Sequence, residues 1–564
     1  DDMAHNIEMH GRLVIDLFKV IQTSYNLDSY KLDNVCEKFL YKNKNDLPPK
    51  EIFRLQKGDS GDRCTIAKYC IIDCVLCNRL LIKLQILMNN IGMSNVCSVP
   101  LMYLFLRGQG IKGLSFVSKI CRAKGYLINT LKKQEETSEK YEGAIVLKPT
   151  TKIYIDDPVC VADFNSLYPS CMISENLSHD SLAGVYNCYK CIDIDKLEAD
   201  GKQCGCYTFD SKYAHIKEVE YVDIQYDIYD YIDDYNSQGM VKKEKKKIKS
   251  GIKTCRFAQL TDGKKSIIPE ILQELLKHRK NTRKTQKNFP ENSFEWNIYE
   301  GLQLAYKITA NSFYGLTGAQ TSKIYLPEIA ASTTATGRNL IKITKKHYES
   351  HYDCKVVYGD TDSVFIRFNC KDINGKKLRG LDAINKSIMY CTEGALEISR
   401  ELKRPHNLEF EKAIFPFILI SKKRYHGHYY TSYGSSSYAP KSMGIVLKRR
   451  DNANICKEIF GGAIREIMVK QDLEASLQMV KSCLRKLLDG EYPYDMFVIS
   501  KTLRSYYKNP DSVAHNVLAR RIARRDPGNK PQTNDRVPYI YVQVPGGDGK
   551  KRILQGDRVE NPVY

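Results

Sequence analysis

The segment Lys355-Val356-Val357-Tyr358-Gly359-Asp360-Thr361-Asp362-Ser363-Val364-Phe365-Ile366 sets two acids in a tight turn between apolar strands, with the break at Gly359-Asp360. Like charges crowded at a hairpin tip are costly unless cations lie nearby. A second apolar strand, Val159 to Phe164, carries Asp163 near its end, and Pro169 closes the segment just beyond. Mg²⁺ takes oxygen ligands and keeps water and phosphate oxygens around one or two protein carboxylates, a minimum that Asp163 and Asp362 supply. Either string alone reads equally well as an Asx turn that caps its own backbone.

Around these strands the pattern alternates. Residues 11 to 100 read as helix interspersed with short apolar strands, helical over Ala67 to Met88 and broken near Gly92 and Pro100. Ala144 to Leu147 reads as a strand ending at Pro149. Residues 186 to 257 are rich in Tyr, Asp and Lys, and the block Lys242 to Lys247 reads as a solvated hairpin tip or loop. Pro269 to Lys287 and Phe294 to Leu316 have helical spacing with turn residues between them, which predicts an antiparallel helical hairpin. A further helix is expected from Leu473 to Leu488.

The second hairpin helix carries Gln303-Leu304-Ala305-Tyr306-Lys307-Ile308-Thr309-Ala310-Asn311-Ser312-Phe313-Tyr314-Gly315, so Lys307, Asn311 and Tyr314 share a face at i, i+4 and i+7. On the first helix Arg279 and Arg283 also face together. Cation, amide and aromatic suit phosphate, sugar and base, although a basic helix face is as readily a solvated one.

Lys and Arg outnumber Asp and Glu by 87 to 66 in 564 residues, a formal charge of +21 that favours a polyanionic partner. No uninterrupted apolar run is long enough to cross a bilayer, so no membrane partner is expected. The 19 cysteines lack the short frame of a disulfide scaffold, which points to a reducing, intracellular compartment. The opening Asp1-Asp2-Met3 suggests an internal fragment of a longer chain.

Taken together, Asp163-Phe164-Asn165-Ser166-Leu167-Tyr168-Pro169-Ser170, the string Gln303 to Gly315, and Tyr358-Gly359-Asp360-Thr361-Asp362-Ser363 resemble motifs A, B and C of the family B DNA polymerases. The resemblance runs from about Gly11 to Tyr539, is delta-like, and at Gly444 to Arg450 is similar to polymerases of large nucleocytoplasmic DNA viruses. It implies an α+β multidomain right hand: palm with an antiparallel sheet, helical-hairpin fingers and a thumb, preceded by a partial RNase H-like exonuclease domain. The implied boundaries are 1–100 for the C-terminal part of the 3′-5′ exonuclease, 101–260 for linker and palm, 261–322 for fingers, 323–445 for palm, and 446–564 for a truncated thumb.

By the same resemblance two Mg²⁺ ions are bound by Asp163, Asp362 and the Phe164 carbonyl, with Asp360 in a lesser catalytic role. Ser166 and Leu167 offer backbone N–H groups to the triphosphate, Arg279, Arg283 and Lys307 grip it with Asn311 and Tyr314, and Tyr168 excludes a ribose 2′ hydroxyl. Lys422-Lys423-Arg424-Tyr425 resembles the element that tracks the primer-template minor groove, and Tyr141-x-Gly143 one associated with the template strand, Gly143 permitting close approach. Lys448-Arg449-Arg450 and Arg520 to Arg525 resemble thumb elements that hold duplex phosphates. The implied partners are primer-template DNA, deoxynucleoside triphosphates and a processivity factor, and the setting is DNA replication in the nucleus or cytoplasm of a host cell.

Two features depart from the pattern. Of the editing site only Tyr69 and Asp73, in Tyr69-Cys70-Ile71-Ile72-Asp73, match; Asp16 and Asp28 lie in the segment that normally follows the second acid. Cys188, Cys191, Cys204 and Cys206 could form a zinc knuckle, although Cys-x-Cys is short for Zn²⁺ and a loop of reduced thiols is the alternative. A nuclease, or a binding module without catalysis, are the competing classes; the first needs a second acid cluster and the second needs the metal acids absent.

Overall fold

The computed structural model describes residues 9–128 apart from 10, 28, 43–46 and 48, then 140–186, 207–208, 219–232, 246–260, 263–527 apart from 292, 530–544 and 554–562. Residues group into two compact units, one formed by 1–87, 424–426 and 442–564, the other by 88–423 and 427–441. The fold is mixed α and β, with antiparallel sheets.

The second unit is organised around the strands that carry the acids. Val159–Phe164 lies between Leu408–Ser421 and Ser363–Phe368, and Cys354–Asp360 pairs with the latter, all antiparallel. Side chains alternate across a strand. Cys160, Ala162 and Phe164 therefore enter a core with Leu340, Ile341, Tyr348, Ile384, Ile388 and Ile398, which come from the helices Pro327–His351 and Gly380–Glu401. The opposite face holds Val161, Phe365 and Tyr358, then ends in Asp163, Ser363 and Asp360.

A second layer of the same unit contains the hairpin helices Ile267–Gln286 and Phe294–Gly318, the latter capped by Ser293 Oγ on the Trp296 N–H at 3.1 Å. Their apolar faces share a core with Phe116, Met172, Leu182, Phe257 and Ile329. Here too the strands Glu220–Ile232 and Lys246–Gln259 form a long antiparallel pair, flanked by Leu182–Tyr186 and Lys140–Tyr141. The pair is held partly by opposed charges, with Arg256 donating to Asp223 through Nε and Nη2 at 2.8 Å each.

In the first unit, Leu17–Ser24, Leu32–Leu40 and Ser60–Lys83 pack through Ile21, Val35, Cys36, Leu76 and Leu80. Its C-terminal part packs Ala514–Arg525 on a sheet of Ile499–Thr502, Arg536–Tyr541 and Val559–Glu560, around Leu518, Val537 and Tyr539. The helix Leu473–Leu488 has the expected bounds.

Several expectations are corrected. The described residues between 11 and 100 form helices and no strands, because short apolar runs of this kind do not distinguish a strand from a buried helix segment. The break expected near Pro100 is present, between Cys97 and Leu101 with Ser98 left-handed, but Gly92 lies inside the helix Ile86–Cys97, where a Cβ would be 3.9 Å from Leu302, and the other break falls at the left-handed Gln85. Pro169 does not end the strand segment but occupies the first turn of the helix Leu167–Ser174, where a missing N–H costs nothing. Ala144 to Leu147 is no strand: it makes a single bridge, Val146 to Asp360, with bonds from Leu147 N–H to Gly359 and Thr361 N–H to Ile145. Gly359 and Asp360 belong to their strand, and the turn falls on Thr361-Asp362, Thr361 having φ of 61°. Of the block Lys242 to Lys247, residues 242–245 lie outside the described residues, while Lys246 and Lys247 open the strand Lys246–Gln259.

Candidate active site

Asp163 sits opposite Ser363 on one neighbouring strand and opposite Glu409 on the other. The next residue, Phe164, donates its N–H to the Asp362 carbonyl at 2.9 Å. This bond ties the end of one acidic strand to the turn that bears the other acid. Within the turn the Asp362 N–H reaches the Asp360 carbonyl at 2.7 Å, and the Asp362 carboxylate also accepts from its own backbone.

The three aspartates are not equivalent. Asp360 accepts from Thr361 Oγ1 at 3.2 Å and Tyr358 Oη at 3.3 Å, and pairs with Lys423 Nζ at 3.1 Å. Asp163 and Asp362 are partly buried. Burial, then the charges of Asp362 and Glu411, pushes the Asp163 carboxyl up to about 7. Burial likewise raises Asp362, with Asp360 and Glu411 adding to it. Two half-buried carboxylates that repel each other form a site that a divalent cation would stabilise. Among the described residues no group of three or more His, Cys, Asp or Glu side chains is placed to hold a metal ion.

Glu409 and Glu411 were not singled out from sequence. They surround Asp163 because a bulge between Phe410 and Lys412 interrupts the pairing of their strand. The alternation Glu409-Phe410-Glu411 at the start of an apolar strand was the available signal.

Beyond Asp163 the chain turns sharply. Ser166 is left-handed with φ of 53°, and Leu167 and Tyr168 open the following helix, whose first N–H groups lack intrahelical partners. A cleft of about 850 Å³ separates Asn165 and Ser166 from Arg279, Lys280, Arg283 and Lys284 on the first hairpin helix. Arg279 is held by a bond from Nε to Gln303 Oε1 at 3.3 Å, and Gln303 and Gln286 both donate to Glu300. That amide and carboxylate network across the hairpin was also missed. Lys307 and Asn311 are exposed on the second helix and do not line this cleft, whereas Tyr314 is half-buried with its ring centroid 4.6 Å from that of Tyr168.

Tyr141 hydrogen-bonds to Tyr314, and an added Cβ at Gly318 would meet the Tyr141 hydroxyl at 2.7 Å. The carbonyls of Glu142 and Gly143 accept from Arg338, and that of Glu142 also from Thr334. Nothing lies within 4 Å of a Cβ built on Gly143, so no protein neighbour demands glycine there. Lys422 donates to the Val146 carbonyl at 3.0 Å, and Lys423, left-handed at φ 59°, donates its N–H to Tyr358 Oη. Arg424 is exposed and Tyr425 is buried.

In the other unit, Tyr69 and Asp73 are one turn apart on Ser60–Lys83. Asp16 caps the helix Leu17–Ser24 through Phe18 N–H at 2.9 Å, and Asp28 lies outside the described residues. Cys188, Cys191, Cys204 and Cys206 do as well, as does the zinc site considered for them. Arg449 pairs with Asp451, Arg450 donates to the Leu27 carbonyl, Arg520 pairs with Asp511, and Arg521 and Arg525 pair with Glu560. These arginines are thus already engaged within the protein.

The sequence model for DNA polymerase family B matches residues 99–563. The chain belongs to DNA polymerase family B. Its relatives include the DNA polymerase of Pyramimonas orientalis virus, 42% identical over all of this chain and 52% of the relative. The DNA polymerase delta catalytic subunit of Dictyostelium discoideum is 35% identical over all of this chain and 45% of its own length, and that of Caenorhabditis elegans 32% over 99% and 46%. This family B chain therefore spans about half the length of the curated relatives it matches. The delta-like, virus-like resemblance read from its residues is borne out. No helix among the described residues is long and apolar enough to cross a membrane.

Proposed function

We propose that this chain is the synthetic core of a DNA-directed DNA polymerase, adding deoxynucleoside triphosphates to a primer 3′ end during DNA replication. The observation that carries the reading is the Phe164 to Asp362 bond, which holds two mutually repelling acids at one end of adjacent strands. Asp163, Asp362 and the Phe164 carbonyl would hold two Mg²⁺ ions, which when bound activate the primer hydroxyl and stabilise the leaving pyrophosphate. Asp360, neutralised by Lys423, shapes the turn and the local charge instead of binding metal.

The remaining roles follow from position. The acid-bearing sheet serves as palm, the helices Ile267–Gln286 and Phe294–Gly318 as fingers, and residues 446–564 as thumb. Arg279 and Arg283 face Ser166 across the cleft, so a triphosphate there meets guanidinium groups on one side and the helix N-terminus on the other. Lys307 and Asn311 reach the nucleotide as the hairpin closes, and catalysis is mainly alignment and charge neutralisation. Tyr168, packed on Tyr314, excludes the ribose 2′ hydroxyl. Lys422, Lys423, Arg424, Tyr141 and the open space at Gly143 receive primer-template DNA, with Tyr425 supporting the turn from its buried position.

Residues 1–100 correspond to the C-terminal part of a 3′-5′ exonuclease domain, in which Tyr69 and Asp73 are one element of an editing site. A processivity factor is a further partner, and the setting is the nucleus or cytoplasm of a host cell. The reading is tested by incubating the chain with labelled primer-template, Mg²⁺ and the four deoxynucleotides. Template-dependent lengthening is expected, and primer shortening or no change in length contradicts it.

A further inference from the structure

Gly337 lies in the middle of the helix Pro327–His351, between Thr336 and Arg338, in ordinary helical geometry. Glycine is among the poorest residues for such a position, since it carries the largest entropy cost and lends the helix no side chain. Neighbouring positions on this helix are filled by Ala330, Ala331, Ser332 and Ala335, small residues that do carry a Cβ. A reason specific to this position is therefore required.

The packing supplies it. A Cβ at Gly337 would stand 3.3 Å from Tyr168 Cε1, 3.4 Å from Leu167 Cδ2 and 3.8 Å from Leu167 Cγ. Leu167 is 3% exposed, packed in the core beneath the sheet. The Tyr168 ring thus lies against the helix at a residue that carries no side chain. On another side the ring meets Tyr314 at 4.6 Å between centroids. Pressed from behind by a methyl group, the ring yields only away from the helix, because packed interiors transmit a displacement and do not absorb it.

We infer that Gly337 is a positioning residue for sugar selection: by lacking a side chain it sets how deep the Tyr168 ring sits, and so how much room remains for the 2′ position of an incoming nucleotide. This inference rests on the reading of Tyr168 as the sugar gate. Gly337 acts through the tyrosine. An added side chain narrows the space at the 2′ carbon, so the ribonucleotide is rejected more strongly than before while the deoxynucleotide is affected less.

The test compares single-nucleotide incorporation of a deoxynucleotide and the matching ribonucleotide, as the ratio of their kcat/KM values, in the wild-type chain, Gly337→Ala, Tyr168→Ala and the double variant. The ratio is taken within one preparation, so a loss of folded enzyme cancels. Gly337→Ala is expected to raise the preference for deoxynucleotide at least threefold, and to have no effect on the ratio when Tyr168 is already alanine. An unchanged ratio in Gly337→Ala, or an equal change in both Tyr168 backgrounds, overturns the inference. Should Tyr168→Ala itself leave the ratio at the wild-type value, the gate reading fails first, and the two failures are distinguished by that single variant.

Discussion

The Phe164 N–H donates to the Asp362 carbonyl at 2.9 Å. Through this bond the two acids share one rigid frame, since Phe164 is 2% exposed and Asp362 follows a left-handed Thr361. The frame holds two partly buried acids whose charges oppose ionisation of Asp163, at a cost to the fold that a divalent cation would relieve.

That cost gives a measurable pH dependence. An Asp163 carboxyl raised to about 7 from an ordinary value near 4 binds its proton more tightly in the folded than in the unfolded state. Folded-state stability therefore declines as pH rises between those values, and the loss is complete above the folded one. Discounted for partial exposure, the penalty is about 1–2 kcal/mol. In EDTA at pH 8, Asp163→Asn should raise the thermal midpoint by a few degrees, and the gain should vanish near pH 4. Magnesium should stabilise the wild-type chain more than the variant. A lower midpoint for Asp163→Asn in EDTA would contradict the cost of burying that charge beside Asp362 and Glu411.

Arg283 is exposed in the cleft, whereas Arg279 is bonded to Gln303. Removing Arg283 should cost one charge-assisted contact, about 1.5 kcal/mol, which is roughly tenfold in KM for the nucleotide. Arg283→Gln should show that rise with an unchanged thermal midpoint, and Arg279→Gln should show it with a lowered one. Steady-state kinetics and thermal melts on the same preparations separate the two.

Lys423 bridges Asp360, yet its side chain is 63% exposed and free to reach a phosphate. Lys423→Ala should weaken primer-template binding and lower the salt slope of that binding by about one. Titrations at three or more salt concentrations measure the slope, and an unchanged slope would confine Lys423 to its ion pair with Asp360.

The hairpin helices and the acid-bearing strands were legible because each has one dominant period and clear stop signals. The Glu220–Ile232 and Lys246–Gln259 pair was not, since its tyrosines and charges hide the alternation until Asp223 is seen opposite Arg256. Gly359-Asp360 was an attractive turn by residue type, but ladder pairing of Asp360 with Ser363 pushed the turn onto Thr361-Asp362. Glu409 joined the site only through register with Asp163, a pairing between residues too far apart in sequence for local pattern to show. The same holds for Gly337, whose meaning depends on which ring lies behind it.

The central claim is that Asp163 and Asp362 jointly hold the metals of nucleotidyl transfer, and the most direct measurement is primer extension by Asp362→Asn beside a DNA-binding titration. Extension should fall by at least a thousandfold, about 4 kcal/mol of transition-state stabilisation, while primer-template affinity in the absence of Mg²⁺ stays within twofold of wild type. Extension by Asp362→Asn at the wild-type rate would contradict the assignment.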